Sequence, residues 1–163
     1  MIETEGRNAL LVHGVPEALL DVWRGKSSPS PLRFAWGKPD FRMAEELEEL
    51  VPGLRGLIPI FDENGEAVVG LLPRKNLFVR FYYEDAGLGD SAVGVMGIGY
   101  QQVAATLLLE FEEAGLSEHF DDLATILQFS HGQELRALLD AAPYDDDAVR
   151  EFLSRLARGE TDS

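Results

Sequence analysis

Asp62, Glu63, Asn64 and Glu66 place three carboxylates and a carboxamide within five consecutive positions, flanked by apolar runs in LIPIFDENGEAVVGLLP. Oxygen-rich side chains of this kind can ligate a hard cation, and the same residue types can close a bend between two strands. Gly65 favours the bend. DENG has the composition of a tight turn with a residue at positive φ, which accounts for the patch without a metal. Its acids are still free to form the rim of a contact with a partner.

The other chemistry-bearing clusters read in the same way. Glu45, Glu46, Glu48 and Glu49 alternate with Leu47 and Leu50 in FRMAEELEEL, the pattern of a solvated helix face. Asp145, Asp146 and Asp147 lack the DxDxDG order of a calcium loop and fit the first turn of a helix, where carboxylates cap free amides and oppose the dipole. Gly94, Gly97 and Gly99 precede a helix, a place where free amides can hold phosphate. The spacing is neither GxGxxG nor GxxxxGK[ST], no base lies in the loop, and Glu84, Asp85 and Asp90 repel an anion. Ser91 and Ser130 do not sit in a GxSxG elbow, and His13, His119 and His131 lack the i,i+4 pairing of a metal-binding helix. These spacings assign no catalytic residue, no cofactor and no metal.

The balance of 29 acidic against 14 basic residues gives a net charge of -15. That field repels phosphate backbones and anionic lipids and attracts basic partners, so nucleic acid and membrane are both disfavoured. By segment, residues 40–66 carry -6 and residues 117–163 carry -7, the two densest acidic stretches. Cysteine is absent, which removes disulfides, thiolate catalysis and thiolate zinc sites and is compatible with a cytoplasmic location. The opening MIETEGRNALL has neither the basic start nor the long apolar stretch of a secretory signal, and no run approaches the length of a membrane span.

The elements that must position these residues follow from periodicity. Residues 16–24 form a short amphipathic helix opened by Pro16, residues 25–31 form a glycine, serine and proline loop, and Asp40 caps a helix through Leu50. Apolar runs at 57–61, 67–72 and 77–83 predict three strands. The glycine-rich stretch 84–99 predicts a loop with one further short strand at 92–98. From Tyr100 an apolar stripe through Val103, Leu107 and Phe111 predicts a helix stopped by Gly115. Three more helices are expected at 117–129, with Ser117 as cap, at 131–141 and at 146–158. Helices, then clustered strands, then helices predict a single α+β domain over 1–163, with a small, mostly antiparallel sheet packed by N-terminal and C-terminal helices.

LIPIFDENGEAVVGLLP, LFVRFYYED and GYQQVAATLLLEFEEAGL together resemble the SUKH superfamily (the Smi1/Knr4-like domain) over residues 40–116, with 117–158 as a helical extension. Ile58, Pro59, Phe61 and Gly65 match its proline-bearing strand and glycine turn, and Leu109, Phe111, Glu112 and Glu113 match its closing helix loosely. The resemblance implies a protein-binding module, most often a bacterial immunity protein that neutralises a toxin, and it carries no catalytic residue across. A basic toxin suits the charge. The expected contact residues are Glu45, Glu46, Glu48, Glu49, Asp62, Glu63, Glu66, Glu84, Asp85 and Asp90, with Tyr82 and Tyr83 as aromatic anchors. The alternative is a small-molecule-binding protein or hydrolase with a pocket near the glycine-rich loop 87–99.

Overall fold

The computed structural model describes residues 3–26 and 36–159, so residues 27–31 of the expected loop lie outside the described residues. Three helices come first: α1 (Glu3–Val12), α2 (Glu17–Trp23) and α3 (Phe41–Leu50). The strands β1 (Ile58–Glu63), β2 (Ala67–Leu72), β3 (Leu77–Tyr82) and β4 (Gly94–Ile98) follow. The chain closes with α4 (Tyr100–Glu113), α5 (Phe120–Ile126), α6 (Gly132–Leu139) and α7 (Asp146–Ala157). No described helix is long and apolar enough to cross a membrane.

The sheet runs β1-β2-β3-β4 with every neighbour antiparallel. All six residues of AVVGLL in β2 are buried, because helices cover both faces of the sheet and polar alternation has no solvent side to serve. On one face Val69, Leu71, Phe78 and Met96 join a core with Leu20 of α2, Val103, Leu107 and Leu108 of α4, and Leu123, Leu135 and Phe152 of the C-terminal helices. On the other face Val68, Leu72, Val79 and Phe81 pack with Leu47 of α3 and with Val51 and Leu54 just after it. The architecture is α+β with a small antiparallel sheet, as the order of elements predicts.

Local chemistry explains several boundaries. The Asp40 carboxylate accepts from Met43 N at 3.0 Å and opens α3, and Asp145 accepts from Asp147 N and Ala148 N to open α7. Asn64 (φ 55°) and Gly65 (φ 76°) make the two left-handed positions of a type I′ turn, closed by Glu66 N donating to Glu63 O at 3.0 Å. Near β4, a Cβ on Gly97 would lie 2.9 Å from Val103 N. Glycine there lets α4 sit directly on the strand, so packing accounts for that position of the phosphate-loop candidate.

The edge strand β4 carries its own protection. Ile98 N donates to Gln102 Oε1 at 2.6 Å, and Thr106 Oγ1 donates to the Met96 carbonyl at 3.1 Å, beside the irregular register opposite Phe78 and Val79. Side chains of α4 thus occupy backbone groups that another strand would otherwise seek.

Three expectations need correction. Residues 3–12 form a helix that the reading of the sequence leaves out. Residues 83–92 are wound into 3₁₀ turns rather than open loop, held by Asp90 accepting from Gly53 N at 2.6 Å and Ser91 Oγ donating to Leu88 O at 2.8 Å. Ser117 does not cap a long helix: it starts a 3₁₀ turn to His119, and α5 begins at Phe120.

Candidate functional site

The type I′ turn ends the β1–β2 hairpin, and the ladder sets Glu63 and Tyr82 on either side of Ala67 and Arg80 beside Val69, on the face that α4 covers. Glu110 of α4 reaches the same point. One further strand-like contact completes the surroundings: Gly37 N donates to Asp62 O at 2.8 Å and Asp62 N to Gly37 O at 3.0 Å. That bridge brings Trp36 onto Phe61, with ring centroids 4.2 Å apart and planes 20° apart, and within 5.6 Å of Phe111.

The result is a hollow of about 360 Å³ lined by Trp36, Glu63, Asn64, Glu66, Arg80, Tyr82 and Glu110. Arg80 grips Glu110 with both terminal nitrogens, at 2.6 and 2.7 Å, and Glu63 with one, at 2.8 Å. Its side chain is 15% exposed, and its Nε–H is buried with no acceptor among the described residues. The hydrogen bonds to Glu110 raise the guanidinium's pKa and keep it cationic. Burial of the Glu63 carboxyl outweighs the pull of Arg80 and raises its pKa above the ordinary carboxylate value. Glu66, at the exposed turn, makes no ion pair among the described residues, and Tyr82 is 41% exposed. Three carboxylates against one guanidinium leave the hollow negative, with an aromatic ring at its mouth.

The structure separates the expected contact residues into groups. Glu63, Glu66 and Tyr82 meet at this hollow, whereas Asp62 lies across the strand, in register with Val68 on the α3 face. There its carboxylate accepts from Tyr83 Oη at 2.5 Å and from Gly65 N. Tyr83 is therefore not a free anchor. Its ring packs against the second core, and burial, reinforced by Asp62, raises the phenol's pKa. Asp90 is likewise engaged, through Gly53 N. Glu84 and Asp85 follow Tyr83 in the 3₁₀ stretch, away from the lining of the hollow. Glu45 and Glu48 line a different groove, between α1 and α3, while Glu46 and Glu49 are exposed and Glu46 pairs with Arg42 at 3.2 Å.

Trp36, Arg80 and Glu110 escaped the sequence reading. Arg80 had a signal: a lone charge in LFVRFYY, inside a strand with apolar residues on both faces, needs a buried partner. Glu110 had none, since its pairing depends on where α4 crosses the sheet. No group of three or more His, Asp or Glu side chains suited to a metal occurs among the described residues. His13, His119 and His131 sit apart, at or beside the ends of α1, α5 and α6. Residues 87–99 line neither this hollow nor the α1–α3 groove. Comparison of the chain with protein-family models, with curated proteins and with solved structures finds no match in any of the three.

Proposed function

We propose that the chain is an acidic protein-binding module, of the immunity type that the SUKH resemblance implies, with the hairpin end of its sheet as the contact surface and a basic protein as its partner. The observation that carries this reading is the hollow beside Tyr82, where Glu63, Glu66 and Glu110 face a single Arg80. An exposed ring at a charged hollow is the arrangement of an interface hot spot, and surplus carboxylates select a lysine or arginine from the partner. The chain's charge of -15 adds steering toward such a partner over longer range.

The experiment is calorimetric titration of the protein with the product of the adjacent reading frame, at low and moderate ionic strength. The reading expects a complex whose affinity falls as salt rises, and falls again when Glu66→Lys reverses the unpaired charge. A complex indifferent to both changes removes the hairpin end from the interface. Absence of any complex with that product removes the immunity reading.

A further inference from the structure

A second groove, of about 750 Å³, opens between α1 and α3 beside the start of β1, a volume typical of small-molecule sites. Its space exists because the facing positions are small: Gly6 and Ala9 on α1, and Ala44 on α3. Its apolar walls include Trp23 and Phe41, whose rings meet edge to face at 5.3 Å. Nothing in the hairpin-end reading uses this groove.

Charge and hydrogen bonding narrow what it would hold. Glu5, Glu45 and Glu48 line the groove and make no ion pair among the described residues; nor does Lys38. Arg24, the other cation in the lining, is within 3.6 Å of Asp21 and 3.9 Å of Glu17. The unpaired charges therefore favour a cation, and the aromatic walls suit an apolar ring. Independently, Trp23 is 2% exposed and its Nε1–H has no acceptor among the described residues. A buried donor left unmatched costs stability, and a ligand oxygen brought to it would relieve that cost.

We propose that the α1–α3 groove binds a small organic ammonium compound that carries an apolar ring and an oxygen acceptor. The ring lies against Trp23 and Phe41, the ammonium faces Glu45 and Glu48, and the oxygen meets the Trp23 indole. The site stands apart from the protein-binding surface, so its test and that of the immunity reading fail independently.

The test uses three probes of one shape: tyramine, 4-hydroxyphenylacetate and 4-ethylphenol, which are cationic, anionic and neutral. Binding is followed by the indole N–H resonance of Trp23 on the full chain. Tyramine is expected to shift that resonance with a millimolar or tighter dissociation constant, and to bind about tenfold more tightly than the anion. Glu45→Gln with Glu48→Gln should weaken tyramine about tenfold, while Glu46→Gln with Glu49→Gln, on the same helix but outside the groove, should leave it within about twofold. Ala9→Phe should abolish binding by filling the groove; a folded Ala9→Phe protein that binds tyramine normally overturns the proposal. So do equal affinity for the anion, equal loss in both glutamine pairs, or no shift of the Trp23 resonance.

Discussion

Arg80 and Arg136 each hydrogen-bond two carboxylates, yet the two clusters behave in opposite ways. Arg136 of α6 donates to Glu112 of α4 with both terminal nitrogens, at 3.1 Å each, and to Asp140 at 2.7 and 3.1 Å. Those hydrogen bonds dominate and lower the pKa of both acids. Arg80 offers similar bonds to Glu63 and Glu110, but burial wins at Glu63 and raises its pKa. The difference is compensation. Around Arg136, Glu112 accepts from both terminal nitrogens and the Asp140 side chain is 64% exposed, and the cluster clips α6 to α4 over the Phe120 ring, 4.9 Å from the guanidinium. Around Arg80, Glu63 accepts a single hydrogen bond from a guanidinium that holds Glu110 with both terminal nitrogens, with the charges of Glu110 and Asp62 beside it and Glu66 at the rim of the hollow. The first cluster staples the fold, and the second leaves Glu63 with a single hydrogen bond from Arg80 and Glu66 with no ion pair among the described residues.

The contrast can be broken most forcefully at its two centres. Arg80→Met should cost roughly 3 kcal/mol of stability, because it strands Glu63 with its carboxyl mostly buried, and denaturant unfolding will measure it. Tyr82→Ala should leave stability almost unchanged and weaken the partner complex by about 2 kcal/mol, whereas Tyr144→Ala, at a more exposed tyrosine outside the lining of the hollow, should not alter it. Arg136→Met should cost about 1 kcal/mol at neutral pH.

The pH dependence separates the clusters by sign. A lowered folded pKa at Glu112 means stability that is present above the unfolded value of about 4.3 and lost as pH falls through the folded value. Thermal melts of wild type and Arg136→Met should therefore differ at neutral pH and converge in strong acid. Glu63 runs the other way: its raised folded pKa costs stability as the pH rises past about 4.3, and Glu63→Gln should remove that dependence. The smallest effect belongs to Arg150→Ala, whose pairing with Asp147 at 3.5 Å is exposed on both sides and should change stability by less than about 0.5 kcal/mol.

How far the sequence reveals this arrangement depends on the range of the interactions. Asp40, Asp145 and the Asn64–Gly65 turn are local devices, each using a side chain or a φ value within three residues, and their pattern predicts α3, α7 and the hairpin. The stripe through Val103, Leu107 and Phe111 likewise predicts α4, whose buried face lies on the sheet. By contrast, α1 has no comparable signature: ETEGRNALLV includes Gly6 and has no basic residue in its last turn, and Leu10 is buried only because the sheet side is there to receive it. The 3₁₀ winding of 83–92 depends on Asp90 reaching Gly53, 37 residues away.

The candidate site divides the same way. Glu63, Glu66 and Tyr82 were legible as acids and an aromatic flanking a turn and a strand end, while Arg80 and Glu110 meet only through the crossing of α4 over β3, 30 residues apart. Tyr82 and Tyr83 look equivalent in sequence. Strand alternation separates them, sending one to solvent and the other to Asp62 and the second core.

The central claim is that the hairpin end, and not the acidic surface at large, makes the protein contact. The most direct measurement is the dissociation constant of the complex with the adjacent gene product, for wild type, for Tyr82→Ala combined with Glu66→Lys, and for Glu46→Lys combined with Glu49→Lys. The account predicts a loss of about a hundredfold or more for the hairpin pair and a change of less than about fivefold for the helix pair. Equal losses in the two pairs, or a hairpin pair that binds like wild type, would contradict it.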